Sequence, residues 1–170
     1  PVRQHQRRCA GARRKPCGSN LLLQTLRSLG LPPRMVVFEI TEHERVTDMT
    51  ALREAVQHLH RAGMRLALDD FGDGRSSLRL WSEVKPEYVK IDKYFIADLA
   101  EHPESLQMLR AIKGIAEIFG TQLVAEGIED ARTRELLATM GCRAGQGFGI
   151  CPPIPCEDIR QWLEDWNRDR

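Results

Sequence analysis

The chain has 170 residues, 42% of them hydrophobic, which is one domain's length with ample apolar side chain for a globular core. A formal net charge of +1 hides an uneven distribution: residues 1–15 carry six basic residues and no acid, leaving 19 basic against 24 acidic residues beyond them, a net of −5. An acidic body argues against nucleic-acid wrapping and would need metal ions or local cations to bind phosphates, and no apolar run is long enough to span a bilayer.

Residues 1–19 (PVRQHQRRCAGARRKPCGS) have neither helical nor strand periodicity and read as a basic, disordered extension ahead of a domain over residues 20–170. LLLQTLRSLGLPP, from Leu21, predicts a helix ending near Gly30, with Pro32 and Pro33 as stop signals. Residues 35–41 (MVVFEIT) predict a buried strand. Leu52, Val56, Leu59 and Ala62 recur at helical spacing, and Gly63 reads as a C-cap. Strands are predicted over 66–70 (LALDD), 88–92 (YVKID) and 122–126 (QLVAE), with a weaker fifth over 145–150 (GQGFGI). Helices are predicted over about 103–119, over 131–140 with Gly141 as its stop, and over 157–166.

Alternating strands and helices make an α/β chain with parallel strands, wound either as an open doubly wound sheet or as a barrel. No glycine-rich dinucleotide fingerprint follows a strand, which disfavours the first choice. Nearly every strand ends in a polar residue: Glu39, Asp69 and Asp70, Lys90, Glu126, Gln146. Parallel strands bring those ends to one rim, and in a barrel that rim carries the chemistry.

Four acids at one rim repel unless a cation neutralises them, so Glu39, Asp69, Asp70 and Glu126 read as an all-oxygen site for Mg²⁺ or Mn²⁺. Adjacent Asp69 and Asp70 suit a pair of ions, which can clamp the attacking and leaving oxygens of a phosphoryl displacement. Lys90 fits as the cation that orients the attacking water or meets a phosphate oxygen. The loop FGDGRSSL, with Gly72 and Gly74, suggests a segment coupling metal binding to closure or to dimer contact.

FEITE, LALDDFGDGRSSL, KPEYVKID, LVAEGIED and GQGFGICPPIP, in this order from about Leu21 to Trp166, resemble the successive motifs of the EAL domain family, which hydrolyses cyclic di-GMP to linear pGpG. The resemblance implies a TIM-type (βα)8 barrel with two Mg²⁺ or Mn²⁺ ions. It implies Glu39 on the first ion, Asp69 bridging both, Asp70 on the second, and Glu126 on the second directly or through water. Lys90 would position or activate the attacking water, Gln146 would contact that water or a ligand, Glu129 would support the site, and Glu42 would brace the loop after Asp70. It further implies a homodimer through that loop, and CBS and GGDEF modules in the full-length protein.

Several features depart from the family. Asp73 and Arg75 stand where it has Thr and Tyr, and nothing matches its first three strands, including the glutamate of the EAL motif and an asparagine that complete the first ion's shell. The expectation is therefore a partial barrel of five βα units, N-terminally truncated and impaired in hydrolysis, with Pro1 marking a fragment or processed form. The alternative is an inactive cyclic di-GMP receptor or regulatory module. Five cysteines without C-x-x-C spacing read as reduced thiols of a cytoplasmic protein. The five histidines lack zinc spacing, and no serine sits in a nucleophile elbow.

Overall fold

A computed structural model describes residues 17–41, 48–72, 78–97 and 99–168. Five strands, β1 (Val37–Thr41), β2 (Arg65–Phe71), β3 (Tyr88–Ile91), β4 (Gln122–Ala125) and β5 (Ala144–Gly145), form one sheet in the order β1-β2-β3-β4-β5. Every neighbouring pair is parallel. A doubly wound sheet reverses its strand order at a switch point, whereas a barrel adds each strand beside the last. The unbroken order makes this a five-stranded partial barrel of the TIM type.

Among the described residues, seven α-helices accompany the sheet: α1 (Cys17–Ser28), α2 (Met49–Arg61), α3 (Leu78–Val84), α4 (Lys93–Ile96), α5 (Pro103–Phe119), α6 (Ala131–Thr139) and α7 (Ile159–Arg168). Asp48 caps α2 by accepting from Ala51 N–H, and Gly120, at φ +68°, ends α5 in the left-handed region. Two short helices escape the periodicity of the sequence, since seven residues (α3) or four (α4) complete too few turns to show it. Asp92 starts α4 directly after β3 by accepting from Tyr94 N–H at 2.8 Å.

Period-two alternation divides the sheet into two faces. Leu66, Leu68, Val89, Ile91 and Ala125 are fully buried and cluster with Val56 of α2, Trp81 of α3, Leu109 and Ile112 of α5 and Leu137 of α6. Their alternates, including Asp69 and Lys90, lie on the opposite face. Trp81 anchors the core: its ring meets Phe71 edge-on at 5.0 Å and Phe119 at 5.6 Å, and its Nε1–H donates to Thr121 Oγ1 at 3.0 Å. The Thr121 hydroxyl in turn donates to the Pro86 carbonyl at 2.9 Å.

The fifth strand is shorter than 145–150 and starts earlier, at Ala144–Gly145. Beyond it the backbone turns, with the N–H groups of Ile150 and Cys151 both donating to the Gly147 carbonyl. A side chain on Gly147 or Gly149 would run into the backbone of residues 128–130, so these glycines serve close backbone packing rather than strand pairing.

Asp130 caps α6: its carboxylate accepts from the Thr133 N–H at 2.8 Å and the Thr133 hydroxyl at 2.7 Å. Those bonds, with the backbone bond first in weight, hold its pKa below the ordinary value. A depressed folded-state pKa contributes stability that is present above the unfolded value and lost as pH falls through the folded one. Melts from pH 6 down to pH 2 are expected to show Asp130→Ala less stable than wild type at the upper end. The two curves should converge at the acid end.

Candidate metal centre

The rim at the C-terminal ends of β2, β3 and β4 gathers the acids through a backbone irregularity. Along a regular strand, Asp69 and Asp70 would point to opposite faces. Here Leu68 pairs with Val89 and Phe71 with Ile91, so β2 spends one residue more than β3 between them, a β-bulge. Asp70 occupies this bulge at φ +55°, and its N–H donates to Asp69 Oδ1 at 3.1 Å. Aspartate tolerates the left-handed region better than most residues because its short polar side chain can bond locally. The outcome is that one carboxylate oxygen each from Asp69, Asp70 and Glu126 lies within 4.8 Å of the others, a grouping that can hold a metal ion.

Lys90 stands among them. Its Nζ is 2.8 Å from Asp69 Oδ1, 2.9 Å from Glu126 Oε1 and 3.4 Å from Glu39 Oε1. Burial opposes the charged form, but the hydrogen bonds to Asp69 and Glu126 outweigh it and hold the ammonium pKa above its ordinary value. Burial pushes the Glu126 carboxyl upward, and Lys90 only partly opposes it. Gln146, just past β5, donates from Nε2 to Glu126 Oε1 at 2.6 Å.

Of the residues singled out in the sequence, six therefore converge: Glu39, Asp69, Asp70, Lys90, Glu126 and Gln146. Glu39 lies outside the tight triplet, with half of its side chain exposed, and meets Lys90 Nζ at 3.4 Å. Glu129 is exposed in the turn after β4, its backbone against Gly149. Glu42 and the loop positions Asp73 and Arg75 lie outside the described residues.

Sequence reasoning missed the role of α4. The Asp92 N–H donates to the Phe71 carbonyl, tying β3 to the backbone just past Asp70. Phe95 packs over Gly72, and Lys93 over Gly127, the residue after Glu126. One turn of helix thus abuts both acid-bearing loops. An aspartate following a strand and preceding Lys-Tyr-Phe is the N-cap signal that could have revealed it. Gly72 has φ +115°, and a Cβ there would strike the Phe95 ring. Gly72→Ala is therefore expected to cost about 1–3 kcal/mol, measured by urea unfolding, and to loosen metal binding through Asp70.

The donor set is all oxygen, which suits Mg²⁺ or Mn²⁺, and two of its carboxylates, Asp69 and Glu126, already share a cation, the Lys90 ammonium. The residues present fit such an ion.

Residues 14–153 match the EAL domain family. A Pseudomonas aeruginosa protein named cyclic di-GMP phosphodiesterase PA2567 is 35% identical over 125 residues, which cover 74% of this chain and 21% of that protein. The crystal structure of the EAL domain of Mycobacterium smegmatis DcpA superposes with a TM-score of 0.80 at 36% identity, covering 86% of this chain and 66% of the other. A manganese/cy-diGMP complex of Klebsiella pneumoniae BlrP1 gives a TM-score of 0.75 at 32% identity, covering 82% and 36%. The chain spans only 18% to 23% of the length of the first curated relatives it matches.

Proposed function

Because the chain belongs to the EAL domain family, we propose that it carries the metal-binding rim of a cyclic di-GMP phosphodiesterase that opens the cyclic dinucleotide to linear pGpG. The observation that carries this reading is the grouping of the Asp69, Asp70 and Glu126 carboxylates, two of which, Asp69 and Glu126, share the Lys90 ammonium. Two relatives of the chain, PA2567 and RocR of Pseudomonas aeruginosa, are named cyclic di-GMP phosphodiesterases.

Asp69, Asp70 and Glu126, with Glu39 to one side, would hold Mg²⁺ or Mn²⁺. Such ions supply a nucleophile at neutral pH and neutralise charge developing on the phosphate. The chain's own groups do the positioning. Lys90, bonded to carboxylates on β2 and just past β4, keeps its proton and serves as a fixed cation that orients water or a phosphate oxygen. Gln146 holds Glu126 in place through one amide hydrogen and has a second to offer a ligand. Water attacking one phosphorus breaks its P–O3′ bond, and the 3′ oxygen leaves as a hydroxyl. Glu129 and Glu42 act, in this reading, on the loops around the site. The loop after Asp70 serves a homodimer, CBS and GGDEF modules flank the domain in the full-length protein, and the protein works in the cytoplasm. Among the described residues, no helix is long and apolar enough to cross a membrane.

Hydrolysis of cyclic di-GMP with Mn²⁺, followed by chromatography of pGpG, tests the reading. Turnover is expected to fall at least ~100-fold in Asp69→Ala, on the scale of losing one charge-stabilising group. Turnover that persists in Asp69→Ala, or without divalent ions, would reject it.

One observation favours a second reading, a receptor that binds cyclic di-GMP without cutting it. Glu39 stands apart from the triplet, so three clustered carboxylates must serve two ions. Calorimetry with Mn²⁺ separates the two readings: heat of binding without any pGpG identifies the receptor.

A further inference from the structure

We infer that the cavity between α5 and α6, at the N-terminal ends of β4 and β5, is a binding site for a small organic anion, an apolar body carrying one carboxylate or phosphate. It lies at the opposite end of these strands from the acidic rim: Gln122 opens β4, and Glu126 follows it roughly 13 Å further along. None of the residues of the metal-binding rim lines it.

The cavity has a volume of about 250 Å³. Its floor is apolar, formed by Leu109 and Ala116 of α5, each 2% exposed, with Leu123 of β4 and Met140 at the end of α6. Thr121 also lines it, but its hydroxyl is already engaged with Trp81 and Pro86. Cys142 brings no negative charge, since burial pushes its thiol pKa up and its Sγ bonds the Ala144 carbonyl at 3.4 Å. The charged groups stand on the solvent side. Lys113 Nζ reaches to 3.3 Å from where a Cβ on Gly141 would stand, so the missing side chain lets the ammonium fold against the cavity. Arg143, an exposed residue, lines the cavity as well. The groove continues along α5 past Gly114, where an added Cβ would meet nothing within 4 Å, to Arg110.

Charge and size say what fits. Arg110, Lys113 and Arg143 stand against one acid, Glu117. Among the described residues, neither arginine has an ion-pair partner, and Lys113 pairs with Glu117 at 3.3 Å on the exposed face of the helix. An exposed pair of that kind contributes little, so an incoming anion can take its place. The body beyond residue 15 is net negative, which makes this cluster a local excess of positive charge beside an apolar hollow. A floor of apolar side chains with a few charged groups at its edge is the composition of a small-molecule site, and a volume below the about 300 Å³ of drug-sized pockets restricts the occupant to a compact body. A metal ion would be repelled by the cations, and a neutral ligand would leave them unused.

The test follows the amide NMR spectrum of the isotope-labelled chain during titration with phenyl phosphate, with phenylacetate and with the neutral phenylacetamide. EDTA is present, so that no metal at the acidic rim draws the anions. Saturable shifts at Leu123, Cys142 and Ala144 are expected for at least one anion, with a dissociation constant on the order of 1 mM or below, the scale open to a ligand of about ten heavy atoms. The tighter anion identifies the head group. Lys113→Gln and Arg143→Gln should each weaken binding, and together by about tenfold or more. Arg160→Gln, which removes an exposed cation on α7, should leave it unchanged. Circular dichroism melts confirm that each variant is folded. Phenylacetamide binding as tightly as the anions, shifts confined to Asp69, Asp70 and Glu126, no saturation by either anion, or undiminished binding in the double variant would overturn the inference. The readout needs neither metal nor turnover, so it stands or falls apart from the phosphodiesterase reading.

Discussion

Lys90→Met is expected to destabilise the metal-free chain by about 3–5 kcal/mol, the cost of leaving buried charges without their partner. The Asp69 and Glu126 side chains are only 15% and 13% exposed, and each is within 3 Å of the ammonium that the substitution removes. With Asp70 close by, the remaining carboxylates repel one another in a setting that already pushes Glu126 toward its neutral form. Two remedies should work. Saturating Mn²⁺ binds only the folded state and restores stability by mass action. Acid also helps, because a carboxyl raised in the folded state penalises folding above that raised value, and the penalty disappears as pH falls through it. Urea unfolding with and without Mn²⁺, at pH 5 and pH 8, checks both. A variant as stable as wild type at pH 8 without metal would show that solvent already screens the acids. Turnover of cyclic di-GMP should fall by at least ~100-fold even with metal restored, since the oriented cation is gone.

Trp81→Ala carries the second large effect, about 3–5 kcal/mol in urea or thermal unfolding. Domains of this size are stable by only about 5–15 kcal/mol, so the variant should be near the edge of folding. The residue is fully buried between Phe71 and Phe119, and its loss leaves a cavity lined by two rings. Trp81→Phe isolates the polar part of the loss. It keeps an aromatic body but removes the donor to Thr121, a buried residue, and should cost about 1–3 kcal/mol. The damage should reach the rim as well: Phe71 directly follows Asp70, so Mn²⁺ affinity is expected to weaken in both variants while they remain folded. Unchanged Mn²⁺ affinity in folded Trp81→Phe would break that link.

The parts of the fold legible in the sequence are those with enough residues to show a period. Helix α5 is long and apolar at Leu109 and Ile112, and its ends, Pro103 and Gly120, are both marked by chemistry. The strands β2, β3 and β4 declare themselves through Leu66, Leu68, Val89, Ile91 and Ala125, residues buried on the helix-covered face. By contrast, α4 is one turn set by a single cap, and β5 is two residues inside a glycine-rich stretch whose packing depends on the backbone of residues 128–130. Contacts made by the absence of a side chain leave no hydrophobic pattern to read.

The same holds for the site. A polar residue at the end of a parallel strand points to the rim, and that logic collects Glu39, Asp69, Lys90, Glu126 and Gln146. It also names Asp70 as a strand-end acid but not how that residue reaches the rim, since strict alternation would send it to the opposite face and only the bulge returns it. Nor does it distinguish Glu39, which lies near the site's margin, from the acids at its centre.

The left-handed backbone at Asp70 also bears on how such a site can decay. At position 69 the main chain is ordinary strand, so a replacement loses the carboxylate with its bonds to Lys90 and to the Asp70 N–H but meets no backbone penalty. At position 70 a branched or bulky replacement carries a conformational penalty besides the lost carboxylate, while Asn or Gly does not. Relatives that have given up metal should therefore vary freely at the first aspartate and drift mainly toward Asn or Gly at the second.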